Sequence, residues 1–245
     1  SSDVCSSDLV SDEGSWLAAT ITYDGSKPAG ITAARMGPIR GLVGRALDKK
    51  RDLDAEAVAL VDGNLTNGTL LIGFERNHRI GRFPVSGGAL QPPTGYLKLP
   101  PEARRMSRNK GFEAVTVMGG GTHRGAPIAF SERFPDNPGQ HTGWIWIGGE
   151  PRSIGFADAG EFEVTDAASL ADGTLLVLLR RFRWTEGVKM RLLRFAPGQV
   201  RPGAKMQGEM LLEADLSSEI DNMEGLAVHR SADRKSTRLN SSHRT

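Results

Sequence analysis

The chain reads as short apolar runs broken every few residues by polar turns, and one of these runs recurs. It opens on an acid and then mixes small with apolar residues: Glu56-Ala-Val-Ala-Leu60, Glu113-Ala-Val-Thr-Val117, Asp166-Ala-Ala-Ser-Leu170 and Glu224-Gly-Leu-Ala-Val228, the leading acids being 57, 53 and 58 residues apart. A turn and a second apolar run ending on charge follow each complete copy. Asp62-Gly63 leads, past a short insertion, to Thr69-Leu-Leu-Ile-Gly-Phe-Glu75-Arg76, while Asp172-Gly173 leads directly to Thr174-Leu-Leu-Val-Leu-Leu-Arg180-Arg181, and the two runs align residue for residue. The middle copy passes through Gly119-Gly120-Gly121 to Pro127-Ile-Ala-Phe-Ser-Glu132-Arg133. Further strands are predicted over Arg79 to Val85 and Val188 to Phe195, after turns at Asn77-His78 and Glu186-Gly187.

Hairpins at this repeat length predict an all-β chain, a β-propeller of four-stranded blades with about four blades present. Val10-Ser-Asp-Glu-Gly14 resembles the tail of a second run, so the first unit is expected to lack its beginning. Propensity alone would make Arg45 to Leu60 a helix. The matching copies at Glu113 and Asp166 lack that composition upstream, so a loop entering a strand is expected instead. Trp144 and Trp146 alternate with Ile145 and Ile147 and are predicted to pack in a core.

Composition narrows the class without changing this picture. Of 245 residues, 38% are hydrophobic and 24% charged, too apolar for a disordered chain. No apolar stretch reaches the ~18 residues a membrane span requires. Thirty-one basic against 29 acidic residues leave a net charge of +2 with no block of like charge inside the chain, so no nucleic-acid footprint is expected. Residues 1–9 and 233–245 resemble translated sequencing-adapter DNA and are expected to be foreign, which leaves residues 10–232 as one propeller domain truncated at both ends. The single cysteine, Cys5, falls in the first of these tails, so no disulfide, zinc-thiolate or cysteine-nucleophile chemistry is expected of the domain.

In a propeller the innermost strands surround a common axis, so residues at equivalent repeat positions form a ring. If the recurring string is the innermost strand, Glu56, Glu113, Asp166 and Glu224 lie at one level near one mouth of the channel. Carboxylates so placed raise one another's pKa and need a positive partner. A hard cation such as Ca²⁺, with its six to eight oxygen ligands, is one candidate. The arginines that end the second runs, Arg76, Arg133, Arg180 and Arg181, are the other. The bland alternative is that each acid braces the neighbouring blade through backbone amides. Asp52, Asp54 and Glu56 alternate and would share one side of an extended segment, but they cannot form an EF-hand loop because Ala57 stands where glycine is required. No Gly-x-Ser-x-Gly elbow, His-Glu-x-x-His or phosphate-binding glycine loop is present. Gly119-Gly120-Gly121 reads as a flexible turn, and His123, His141 and His229 as loop or surface residues.

Four ordered stretches carry a resemblance: Lys50-Arg-Asp-Leu-Asp-Ala-Glu56-Ala, Phe74-Glu75-Arg76-Asn-His78-Arg79-Ile80, Phe162-Glu-Val-Thr-Asp166-Ala-Ala and Ile220-Asp-Asn-Met-Glu224-Gly-Leu-Ala227. Together they resemble the phytase-like propeller family described as "esterase-like activity of phytase". The resemblance implies a secreted or periplasmic bacterial propeller whose repeated acids hydrolyse phosphomonoesters or phosphodiesters, acting on small-molecule esters. By position it implies Asp12, Glu56, Glu75, Glu113, Glu132, Asp166 and Glu224 as metal ligands, with Ca²⁺ as the expected ion. Glu56, Glu113, Asp166 and Glu224 are the expected ligand-and-base set, and Arg76, His78, Arg180 and Arg181 the expected anion-binding residues. Two other readings stay open: a non-enzymatic secreted binding module with structural calcium, and a lactonase-like metal hydrolase on the same architecture.

Overall fold

Turn residues and alternating apolar positions make each run a strand hydrogen-bonded to its chain neighbour in the computed structural model, which describes residues 4–25, 27–134, 139–157, 160–218, 220, 223–230 and 237–243. The first sheet is β1 (Val4–Val10), β2 (Ser15–Asp24) and β3 (Lys27–Pro38). The second holds β4 (Ala55–Gly63), β5 (Gly68–Phe74), β6 (Arg79–Ser86) and β7 (Ala89–Leu90), with β8 (Gly95–Tyr96) also on β6. The third runs β9 (Phe112–Val117), β10 (Pro127–Ser131), β11 (Gln140–Ile147) and β12 (Glu150–Ala157). The fourth runs β13 (Glu163–Ser169), β14 (Leu175–Arg183) and β15 (Gly187–Phe195). After β15 the chain lays β16 (Lys205–Met206) parallel to β12, tying the fourth sheet to the third, and then adds β17 (Glu209–Asp215) beside β15. A ribbon of β18 (Met223–Arg230) and β19 (Thr237–His243) follows.

These sheets form the expected four-bladed β-propeller. The recurring string is the innermost strand each time: β4 packs on β9, β9 on β13 and β13 on β18. β1 packs on β4 as β5 packs on β9 and β14 on β18, the place of a second strand. Residues 4–9 of β1 and residues 237–243, which belong to the segments read as foreign, lie in edge partners of β2 and β18, and the expected boundary at 232/233 lies outside the described residues. Between Arg45 and Leu60 the only α-helix is the turn Lys50–Leu53, which ends as β4 begins; strand pairing overrides helix propensity there.

The core lies in layers between blades. Ala57, Leu71, Ile80, Phe112, Ala129, Trp144 and Trp146 fill the layer between the second and third sheets. Ile128, Phe130, Ile154, Val164, Val177 and Phe195 fill the next. Middle strands are apolar on both faces because both neighbours cover them: Leu71 points to the third sheet, while Ile72 and Phe74 join Ile39 and Phe83 on the other side. His141, expected at the surface, is 5% exposed in β11, with its ring 4.6 Å from that of Phe156.

The inner strands pack so closely that the glycines become structural. A Cβ on Gly119 would lie 2.4 Å from the Leu170 carbonyl oxygen, and one on Gly120 2.3 Å from that of Ala171. The triple glycine is therefore the surface on which the next blade's Leu170–Gly173 turn rests, and not a free hinge. Gly120→Ala should destabilise the fold by roughly 1–3 kcal/mol through overpacking, whereas Gly95→Ala, where a Cβ meets nothing within 4 Å, should be nearly neutral; urea melts of the two variants measure the contrast.

Candidate functional site

A bulge at the start of the inner strands sets the site. In β4, β9 and β18 the ladder skips one residue, and the skipped residue is Glu56, Glu113 and Glu224 respectively. A bulge turns the extra side chain out of the ladder. In β13 the skip falls on Thr165, whose hydroxyl donates to the Leu178 carbonyl. Asp166 then pairs opposite Leu178, the place taken by Ala57, Ala114 and Gly225 in the other copies. The third copy is thus displaced by one residue from the alignment that the acids alone suggest.

The second strands deliver the next set of side chains. Phe74, Ser131 and Leu179 hold equivalent ladder positions, so Glu75, Glu132 and Arg180 are equivalent. Glu75 is 9% exposed and stands between blades. Carboxylate oxygens of Asp54, Glu56 and Glu75 lie within 4.8 Å of one another, as do those of Glu75, Glu113 and Glu132, so Glu75 belongs to both groups. Of the seven sequence-predicted ligands, Glu56, Glu75, Glu113 and Glu132 are brought together. Asp54, noted in sequence only for its alternation, joins them and is 3% exposed. Asp52 does not; it lies in the helical turn and accepts a hydrogen bond from Asn77 at 2.8 Å.

The other three acids stand apart from these two groups. Asp12 pairs with Lys50 at 2.9 Å. Asp166 accepts hydrogen bonds from the backbone amides of Ala167, at 2.7 Å, and Leu226 of β18, at 2.6 Å, which is the inter-blade brace. Glu224 pairs with Arg180 at 2.7 Å.

Cations from the chain run along the same arc. Lys50 reaches Asp54 at 3.3 Å as well as Asp12, and Arg76, held at φ 56°, directs its guanidinium to Asp54. Lys110 spans two blades, at 3.1 Å from Glu132 and 2.7 Å from Glu163. Neither Lys110 nor Glu163 is marked by the repeated string, although Phe162-Glu163 repeats Phe112-Glu113 in sequence. His78, an expected anion binder, is largely buried: its Nε2 lies 3.0 Å from the Ser107 carbonyl and its ring stands edge-on to Phe112. Burial lowers its pKa, so a neutral ring bracing the loop before β9 is its structural part.

Electrostatics follow from this crowding. Burial, then the charge of Asp54, raise the Glu75 pKa, against the Gly111 amide, Arg76 and Lys110. Burial, then Glu163, push Glu132 up to about 7. Burial also works against Glu163, but hydrogen bonds from Lys110 and from the Glu132 carboxyl hold its pKa below the ordinary value. Glu132 and Glu163 therefore share one proton, with Lys110 beside both.

Beyond Glu163 lies an open cleft of about 360 Å³ lined by Arg133, Arg180, Arg181, Arg183, Glu161, Glu163 and Phe182. Arg180 and Arg181, expected as anion binders, are both here, whereas Arg76 lies with the acids.

Folded Glu132 keeps its proton to about pH 7, while the unfolded side chain releases it near 4.5. The folded state binds the extra proton in that window, so stability should fall as pH rises from about 4.5 to 7, on the order of 2 kcal/mol. Glu132→Gln should remove that fall. Urea melts at pH 5 and pH 8 check it; an equal difference between wild type and variant at both values would contradict the shared proton.

No curated protein matches the chain. A sequence model of the phytase-like family, described as "esterase-like activity of phytase", matches residues 6–241, nearly the whole length. With its propeller and its repeated inner-strand acids, the chain belongs to this phytase-like family.

Proposed function

We propose that the chain is a phosphoester hydrolase that works at the channel mouth with a divalent cation, Ca²⁺ being the first candidate. One observation carries this reading: four carboxylates from two blades converge on Glu75, and the arginine-lined cleft adjoins them through Glu163. The donor set fits a hard cation, since it offers carboxylate oxygens and no sulfur or imidazole. Asp54, Glu56, Glu75 and Glu113 would hold it, while Glu132 stays with Lys110 and Glu163. Such an ion binds phosphate oxygens and makes a bound water more acidic.

The chain's own residues supply the rest. Arg180 and Arg181 line the cleft, and their guanidinium groups, fixed in place by Glu224 and Glu186, would offer positive charge to phosphate oxygens. The Glu132–Glu163 pair, with a carboxyl that titrates near neutrality, accepts or returns a proton at low cost around pH 7. Lys110 keeps that pair in place between the blades. Asp166 and Glu224 act as braces in this scheme, one on the Leu226 amide and the other on Arg180. A small-molecule ester as substrate and a periplasmic or secreted location accompany the family reading. No helix among the described residues is long and apolar enough to cross a membrane.

Calcium should raise the melting temperature and support hydrolysis of nitrophenyl phosphate or bis(nitrophenyl) phosphate. Glu75→Gln and Glu113→Gln should each weaken calcium binding by roughly 10–100-fold and abolish turnover. Turnover that survives both substitutions would remove the acid cluster from the mechanism. Calcium-dependent stabilisation without hydrolysis of either ester would favour a binding module with structural calcium.

A further inference from the structure

The arginine cleft has an apolar side that simple phosphate recognition leaves unused. Phe182 lines it while remaining 54% exposed, and Trp184, two residues on, is 94% exposed. Their rings meet edge to face, 5.3 Å apart and inclined at 71°. Two large aromatic side chains held together in water at the rim of a cationic cleft expose apolar area that an ordinary hairpin would replace with polar residues.

The surrounding charges are fixed in position. Arg181 donates to the Gly160 carbonyl at 2.9 Å and pairs with Glu186 at 2.7 Å. Its guanidinium also lies 5.0 Å from the Phe162 ring centre. Arg183 pairs with Glu161 at 2.6 Å and with Glu186 at 3.0 Å. Arg133 is exposed and makes no ion pair among the described residues. Arg180, Arg181 and Arg183 are each paired with a glutamate, so among the described residues Arg133 supplies the lining's uncompensated positive charge, and an anion is the complementary occupant. The aromatic pair then meets whatever is attached to that anion, at a distance fixed by the short strand end Arg180–Trp184.

We infer that this cleft selects phosphoesters whose phosphate carries a planar aromatic group, such as aryl phosphates or nucleoside phosphates, with Phe182 and Trp184 against the ring and Arg133 and Arg181 toward the phosphate. A fully polar polyphosphorylated polyol gains nothing from the aromatic side. This deepens the hydrolase reading and rests on it for turnover, although binding can be read separately.

The test is calorimetric binding of phenylphosphonate and methylphosphonate, which carry the anion with and without the ring and are not phosphoesters, to the full chain. Phenylphosphonate should bind roughly five- to tenfold more tightly. In Phe182→Ala and Trp184→Ala, both surface changes that should leave the melting temperature as it is, the ratio should fall toward one, whereas Arg133→Gln should weaken both ligands and keep the ratio. Equal affinity of the wild type for the two phosphonates, or a ratio that persists in both aromatic variants, overturns the inference. Loss of calcium-dependent ester hydrolysis with the ring preference intact would instead remove the hydrolase and leave the aromatic cleft.

Discussion

Glu75 draws carboxylates from two successive blades to within 4.8 Å, and the pattern of charges around it is a response to that proximity. Like charges at this distance, partly removed from water, cannot all stay ionised without positive charge between them. The chain answers with Lys50 and Arg76 on Asp54, with Lys110 between Glu132 and Glu163, and with a proton shared by that last pair. The remaining negative potential around Glu75 and Glu113 is what a divalent cation would complement.

The crowding has a mechanical origin in the packing of the inner strands. Ala55, Ala57 and Ala114 are small enough to let neighbouring blades approach, and the bulges aim Glu56 and Glu113 out of the ladder. Stability and site are thereby coupled: the same close approach that makes Gly119 and Gly120 irreplaceable contacts for the next blade's turn also brings acids of different blades together. Asp166 shows the coupling from the other side, since its carboxylate joins β13 to the Leu226 amide of β18.

The arc changes character as it proceeds. At the equivalent second-strand position the residue is Glu75, then Glu132, then Arg180. Where arginine takes over, the next inner-strand acid, Glu224, is paired with it, and the space beside it is the cationic cleft. A cation-attracting region and an anion-attracting region thus adjoin, linked by Glu163, which pairs with Lys110 and lines the cleft. The proposed phosphoester would meet both.

Much of this was legible in the linear pattern because a repeat relates by rotation what it relates in sequence. The four copies of the acid-led string mark the innermost strands, and the match of residues 69–76 with residues 174–181 marks the equivalence of Glu75 and Arg180. What the repeat could not supply was everything outside it. Asp54, Lys50 and Lys110 come from the loops that enter β4 and β9, and nothing in their sequence neighbourhood fixes where those loops end. The alignment of acids also set Asp166 beside Glu113, while the ladder puts Thr165 there. A strand reverses its faces at every residue, so a shift of one place, absorbed by a bulge, decides which side chain enters the ring, and only the paired backbone fixes that shift. Composition and periodicity thus determined which strands surround the axis; inter-blade contact, acting between residues far apart in the chain, decided which carboxylates meet, which are neutralised and which serve as braces.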